Sequence, residues 1–222
     1  MNPASRSDRI ALRTGQLARR CGLLQWGRRL VRVAAIGAIG ACLQAQAADQ
    51  PTTAASSGHP RVALETSLGR IVVELQPDRA PKSAANFLQY VGDGFYDGTV
   101  FHRVISNFMI QGGGFTSDMA QKATRAPIQN ESRNGLKNVR GSVAMARTSI
   151  PDSATAQFFI NVVDNGNLDY PSFDGVGYAV FGQVVEGLDV VDKIRAVPTA
   201  RKGMFENVPV NAVVIKTARL LK

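Results

Sequence analysis

Arg103 and Gln111 stand among apolar residues in the stretch FHRVISNFMIQGGG (101–114), with Phe101, Val104, Phe108, Met109 and Ile110 around them. The segment alternates as a strand, turns at Ser106-Asn107, alternates again and ends in three glycines. A guanidinium held against apolar side chains can bind, polarise and position a substrate, and a carboxamide can hydrogen-bond a backbone. Neither group readily attacks a carbonyl or shuttles a proton.

Other chemistries lack their parts. Nucleophilic hydrolysis needs a base beside its nucleophile, and His102 is the only histidine from residue 61 onward. Strand alternation places it on the face opposite Arg103, in the inner wall or in a hydrogen-bonded core niche. One histidine and no cysteine in that region cannot assemble a zinc site. Gly112-Gly113-Gly114 lacks the Lys-Ser/Thr of a phosphate loop and suggests a close backbone approach. The carboxylates form no evident pair for glycoside chemistry.

The elements that must position Arg103 and Gln111 are mostly strands. RVALET (61–66) and GRIVVEL (69–75) alternate around a tight hairpin at Ser67-Leu68. PKSAANFLQYV (81–91) is a helix with proline in its first turn and an apolar stripe of Ala84, Phe87, Leu88 and Val91. Residues 115–140 read as a long loop, 141–147 and 156–163 as buried strands, 164–177 as loop and 178–185 as a strand. GLDVVDKIRAV (187–197) is a second amphipathic helix closed by Pro198, and residues 212–221 are a final strand. Short strands with two helices predict a mainly β fold: a closed eight-stranded antiparallel barrel capped by two α-helices.

The amino-terminal part reads differently. Residues 1–47 carry eight arginines against one aspartate, then an apolar run, VAAIGAIGACLQAQA, ending in Ala45-Gln46-Ala47. This is the pattern of a cleavable export signal, with cleavage expected after Ala47, and it places the product in a periplasm. A lipid on Cys42 is the second alternative, and twin-arginine export a weak third. Residues 48–60 form a flexible linker with His59 solvated in it, and residues 61–222 form the folded domain. Most of the formal charge of +9 belongs to the signal: the rest holds 18 basic and 16 acidic residues, which removes the support for nucleic-acid binding. Cys21 and Cys42 both precede the cleavage point, so the mature domain expects no disulfide.

FHRVISNFMIQGGG, SVAMART (142–148), SATAQFFINV (153–162), NLD (167–169) and YAVFGQVVEGLDVVDKI (178–194) occur in this order. Together they resemble the cyclophilin-type peptidyl-prolyl cis–trans isomerases, and are most similar to exported bacterial members. The resemblance spans residues 61–222 and implies the same capped barrel. It implies that Arg103 is the catalytic arginine, that Phe108, Met109, Phe159 and Leu168 line a proline pocket, and that Gln111 bonds the substrate backbone. Ala146 and Arg147 would form the rim that pairs with the peptide, with Arg147 where many members have asparagine. Gln157 would stand on the same wall. Asn167 replaces a common tryptophan and Tyr178 a common histidine, both bordering the pocket, which argues against tight cyclosporin binding. The implied protein is a monomer without cofactor or membrane span, acting on proline-containing unfolded or extended polypeptides.

Elementary chemistry agrees with that resemblance. Rotation about an amide faces a barrier of about 18–20 kcal/mol, and X–Pro bonds exchange over roughly tens to hundreds of seconds. In the twisted transition state the lone pair returns to nitrogen, where a fixed donor can bind it; the planar ground state gains little from that donor. The blander alternatives make Phe108, Phe159 and Leu168 ordinary core, pair Arg103 with Asp97, and let Gln111 cap an edge. Rival functions are a holdase that grips chains in the same groove and a Ser-His-Asp enzyme using His102.

Overall fold

The computed structural model describes residues 58–222. The expected export signal, Cys21, Cys42 and the tether up to residue 57 lie outside the described residues. Ten strands and two helices follow in the order β1 (Arg61–Thr66), β2 (Gly69–Leu75), α1 (Pro81–Gly92), β3 (Thr99–Ile105), β4 (Met109–Thr116), β5 (Ser142–Met145), β6 (Phe158–Asn161), β7 (Val180–Glu186), α2 (Leu188–Arg195), β8 (Thr199–Lys202), β9 (Phe205–Pro209) and β10 (Ile215–Leu221). Among the described residues no helix is long and apolar enough to cross a membrane.

Eight strands form one curled antiparallel sheet in the order β10-β1-β2-β7-β5-β6-β4-β3. The expected closure is not found. The edge strands β3 and β10 share no ladder; they meet at an isolated bridge, Val100–Val214, and through the Phe101 N–H donating to the Val213 carbonyl at 2.9 Å. The register of β3 against β4 shifts twice, between Thr99 and Phe101 and between Phe101 and Arg103, and such irregularities bend a strand and increase its twist.

Each face of the sheet buries its own apolar set, as period-two alternation demands. Val143, Met145, Phe158, Ile160, Ile110 and Phe101 belong to the main core, together with Phe87 of α1 and Val191 and Ile194 of α2. Phe87 is its hub, with ring centroids 5.1 Å from Tyr96, 5.4 Å from Phe158 and 5.2 Å from Phe181. The alternate residues Met109, Ala144, Phe159 and Val180 form a second cluster with Leu168.

Helix α1 begins at Pro81, whose missing N–H costs nothing there. Its exposed amides find a partner far along the chain: Glu131 accepts from the Lys82 and Ser83 N–H groups at 3.0 and 2.8 Å. The carboxylate thereby anchors the long loop after β4 at the positive end of the helix. His59 corrects the linker expectation, since its Nε2 lies 3.0 Å from Asp78 and its side chain is only 23% exposed. The small hairpin β8–β9 is absent from the sequence reading; β8 reads Thr-Ala-Arg-Lys, wholly exposed, with no apolar alternation to reveal it.

Candidate active site

Cross-strand register assembles the site. Arg103 lies opposite Gln111 on β3–β4, Gln111 opposite Phe159 on β4–β6, and Phe159 opposite Ala144 on β5–β6. Residues in one such row point to the same face. The guanidinium, the carboxamide and the phenyl ring are therefore neighbours although 56 positions separate the first from the last.

Arg103, Phe108, Met109, Gln111, Ala146, Arg147, Phe159, Leu168 and Tyr178 together line one notch of about 100 Å³. Apolar Phe108, Met109, Phe159 and Leu168 share its walls with the polar groups of Arg103, Gln111 and Arg147, and Phe159 and Tyr178 meet edge to face at a centroid distance of 5.8 Å. The lining contains no serine, cysteine, histidine or carboxylate. Gln157, also expected at the site, stands one step outside: its Oε1 accepts from Gln111 Nε2 at 2.9 Å, and it lines an adjoining cavity of about 480 Å³ that shares Gln111, Ala146 and Arg147.

Arg103 is half-buried, and among the described residues no carboxylate lies within salt-bridge distance of it. Asp97, the suggested structural partner, is held instead by Arg219 at 2.7 Å, and this hydrogen bond keeps its carboxyl below the usual range. Arg147 is the opposite case. Its side chain is 2% exposed and salt-bridged to Asp174, donates through Nε to the Gly177 carbonyl at 3.0 Å, and lies 4.4 Å from the Tyr178 ring centre. The hydrogen bond that Arg147 Nη2 donates to the Asp174 carboxylate brings that carboxyl down to about 2. The guanidinium thus ties the loop after Leu168 to the notch wall and leaves only the Arg147 backbone as a rim.

His102 departs from the expected placement. It is the extra residue in the shift between Phe101 and Arg103, so the alternation that should separate it from Arg103 fails. Its ring packs 4.6 Å from Phe115, and it lines a cavity together with Arg103 and Gln111. Burial pushes its pKa down to about 4; a hydrogen bond with the Val100 backbone opposes this, the nearby Arg103 charge adds to it, and Gln157 opposes it least. The imidazole is neutral near pH 7, and its buried Nδ1 has no hydrogen-bond partner.

Buried amides that the sequence reading passed over hold the notch in shape. Asn165 Nδ2 donates to the Phe108 carbonyl at 2.8 Å and to Asn161 Oδ1 at 2.7 Å, and the Asn165 carbonyl accepts from the Leu168 N–H at 2.9 Å. One residue therefore holds both walls, the Phe108 wall through its side chain and the Leu168 wall through its backbone carbonyl. The faint signal was an asparagine at each of 161 and 165, flanking a strand end.

The fold sets a cation, Arg103, beside a small notch whose lining carries no nucleophile, histidine or carboxylate. Residues 61–220 match the sequence model of the family "Cyclophilin type peptidyl-prolyl cis-trans isomerase/CLD", and the chain belongs to that family. It is 61% identical over 162 residues to the peptidyl-prolyl cis-trans isomerase cyp18 of Streptomyces antibioticus, covering 72% of this chain and 98% of that one. It is 56% identical over 158 residues to peptidyl-prolyl cis-trans isomerase B of Escherichia coli, covering 70% and 96%. A Cryptosporidium parvum cyclophilin type isomerase, solved in the presence of the dipeptide Ala-Pro, superposes with a TM-score of 0.61 at 25% identity, covering 73% of this chain and 99% of that one. The protein is a peptidyl-prolyl cis–trans isomerase.

Proposed function

We propose that the enzyme accelerates X–Pro rotation in exported polypeptides by donating a hydrogen bond from Arg103 to the prolyl nitrogen of the twisted transition state. The observation that carries this reading is the half-buried Arg103 beside Phe108, Met109, Phe159 and Leu168 in one notch, with no carboxylate partner among the described residues. A guanidinium already engaged by an acid could not turn to a weakly basic nitrogen. Phe108, Met109, Phe159 and Leu168 seat the pyrrolidine ring and exclude water. Gln111, steadied by Gln157, and the backbone of Ala146 and Arg147 grip the flanking main chain.

Bringing a step of tens of seconds to milliseconds takes about 10⁴-fold, or about 5.5 kcal/mol. One preorganised donor supplies about 3–4 kcal/mol by analogy with an oxyanion hole, and the dry notch with its backbone clamps supplies the remainder. The chemistry needs no cofactor. The substrates are extended, proline-containing chains, and the arginine-rich start with its Ala45-Gln46-Ala47 ending supports action in a periplasm. Asn167 and Tyr178 at the pocket border favour weak cyclosporin binding.

A protease-coupled assay on a proline tetrapeptide, with Arg103→Ala beside wild type, tests the mechanism; equal rates refute it. Mass spectrometry of the mature amino terminus, from material secreted to a periplasm, tests the export assignment. A start at Ala48 supports it, an intact Met1 contradicts it, and a lipidated Cys42 replaces it with the anchored form.

A further inference from the structure

The hairpin β8–β9 has no part in the chemistry above, yet its tip stands beside the catalytic arginine. Gly203 turns the chain at φ 61°, Met204 follows at 83% exposure, and Phe205 is half-buried with its ring centroid 5.3 Å from Phe115. Phe205 and Phe115 root the tip on the sheet, so Met204 is displayed at a fixed place and does not trail in solvent. Between the tip and the sheet lies a second cavity of about 340 Å³, walled by Arg103, Gln111, Phe115, Met204, Phe205 and Glu206. Arg103 and Gln111 are also walls of the proline notch, so the two spaces adjoin at the arginine and the glutamine.

A chain with its proline in the notch must leave over one side of Arg103 or the other. On this side it meets methionine and phenylalanine, a neutral histidine, Asn207 and a single carboxylate, that of Glu206. Methionine is soft and unbranched and adapts to apolar partners of varied shape.

We propose that the hairpin tip is a specificity subsite that takes a large apolar side chain flanking the proline, with Met204 and Phe205 as its floor and Glu206 rejecting acidic side chains. The proposal rests on Arg103 and the notch forming the active site. Partial burial of a leucine-sized side chain is worth roughly a fivefold gain in kcat/KM over alanine at that position.

The test measures kcat/KM of the full mature protein on proline peptides whose residues on each side of the X–Pro pair are set in turn to alanine, leucine and glutamate. At one flank wild type is expected to prefer leucine to alanine about fivefold. Met204→Ser, at an exposed turn that tolerates the change, should bring that ratio towards one, and Glu206→Gln should raise the glutamate peptide relative to alanine about two- to threefold. An active wild type with a leucine-to-alanine ratio near one at both flanks, or a ratio unmoved in Met204→Ser, overturns the subsite and leaves the notch intact. Arg103→Ala should slow every peptide and preserve the ratios; failure of that arm counts against the active-site assignment instead.

Discussion

His102 offers a quantitative check, because a histidine buried as a neutral ring must be charged in the unfolded chain at acid pH. Its pKa is pushed down to about 4 from the ordinary 6.5, mainly by burial. The folded form therefore binds the proton less readily than the unfolded one, so stability from this group is fully present above pH 6.5 and is lost as pH falls towards 4. With those two values the loss is about 2 kcal/mol at pH 5 and about 3 kcal/mol at pH 4. Carboxylates titrate in the same window, so the comparison is between wild type and His102→Gln, each unfolded in urea from pH 7.5 to 4. The wild type should lose about 2 kcal/mol more than the variant between pH 7.5 and pH 5. Only His59 and His102 contribute histidine signals, so an NMR titration assigns the group directly. Parallel stability profiles, or a His102 titration near 6.5, would refute the claim that the bulge in β3 buries this ring.

The glycine run makes two further predictions. A Cβ on Gly114 would lie 2.5 Å from Gln157 Cγ, so Gly114→Ala should displace Gln157 and with it Gln111, lowering kcat/KM about tenfold for a stability loss of about 1–2 kcal/mol, read by the coupled assay and urea unfolding. Gly113 has φ 78° and a Cβ there would lie 2.8 Å from Tyr96; Gly113→Ala should cost about 2–4 kcal/mol by both strain and overpacking, visible as a lowered Tm. Asn165→Ala leaves Asn161 Oδ1 without its donor and the Phe108 carbonyl with only the Val162 N–H at 3.2 Å; stability should fall by about 1–3 kcal/mol and KM should rise as the Phe108 wall loosens. Arg147→Ala should let the Asp174 carboxyl rise from about 2 towards the ordinary range, followed by carboxylate NMR shifts.

Much of this was legible in local patterns. Period-two alternation marked β1, β2 and the two strands around Ser106-Asn107, and Pro81 with the Ala84, Phe87 and Val91 stripe marked α1. The notch residues were legible through their family motifs, and nine of ten line one cavity. What escaped notice was set by register and by distant partners. A single bulged residue at His102 moved that ring to the Arg103 side, and no local pattern distinguishes a bulge from a continuous strand. The pairing of β3 and β10 through one isolated bridge and no ladder is a long-range feature that no alternation of side chains encodes. The burial of Arg147 depends on Asp174, 27 residues away, and the hairpin carrying Met204 is too short and too exposed to show a period.

The central claim is that Arg103 acts on the twisted imide and not on either planar isomer. Its most direct test is exchange NMR on a proline peptide with wild type and Arg103→Ala, paired with calorimetric binding of the same peptide to both. The catalysed exchange rate at saturation should fall by about 10²–10³ in the variant, while Kd changes by less than about threefold. A Kd weakened in proportion to the rate would show Arg103 to be a ground-state binding residue and contradict the account.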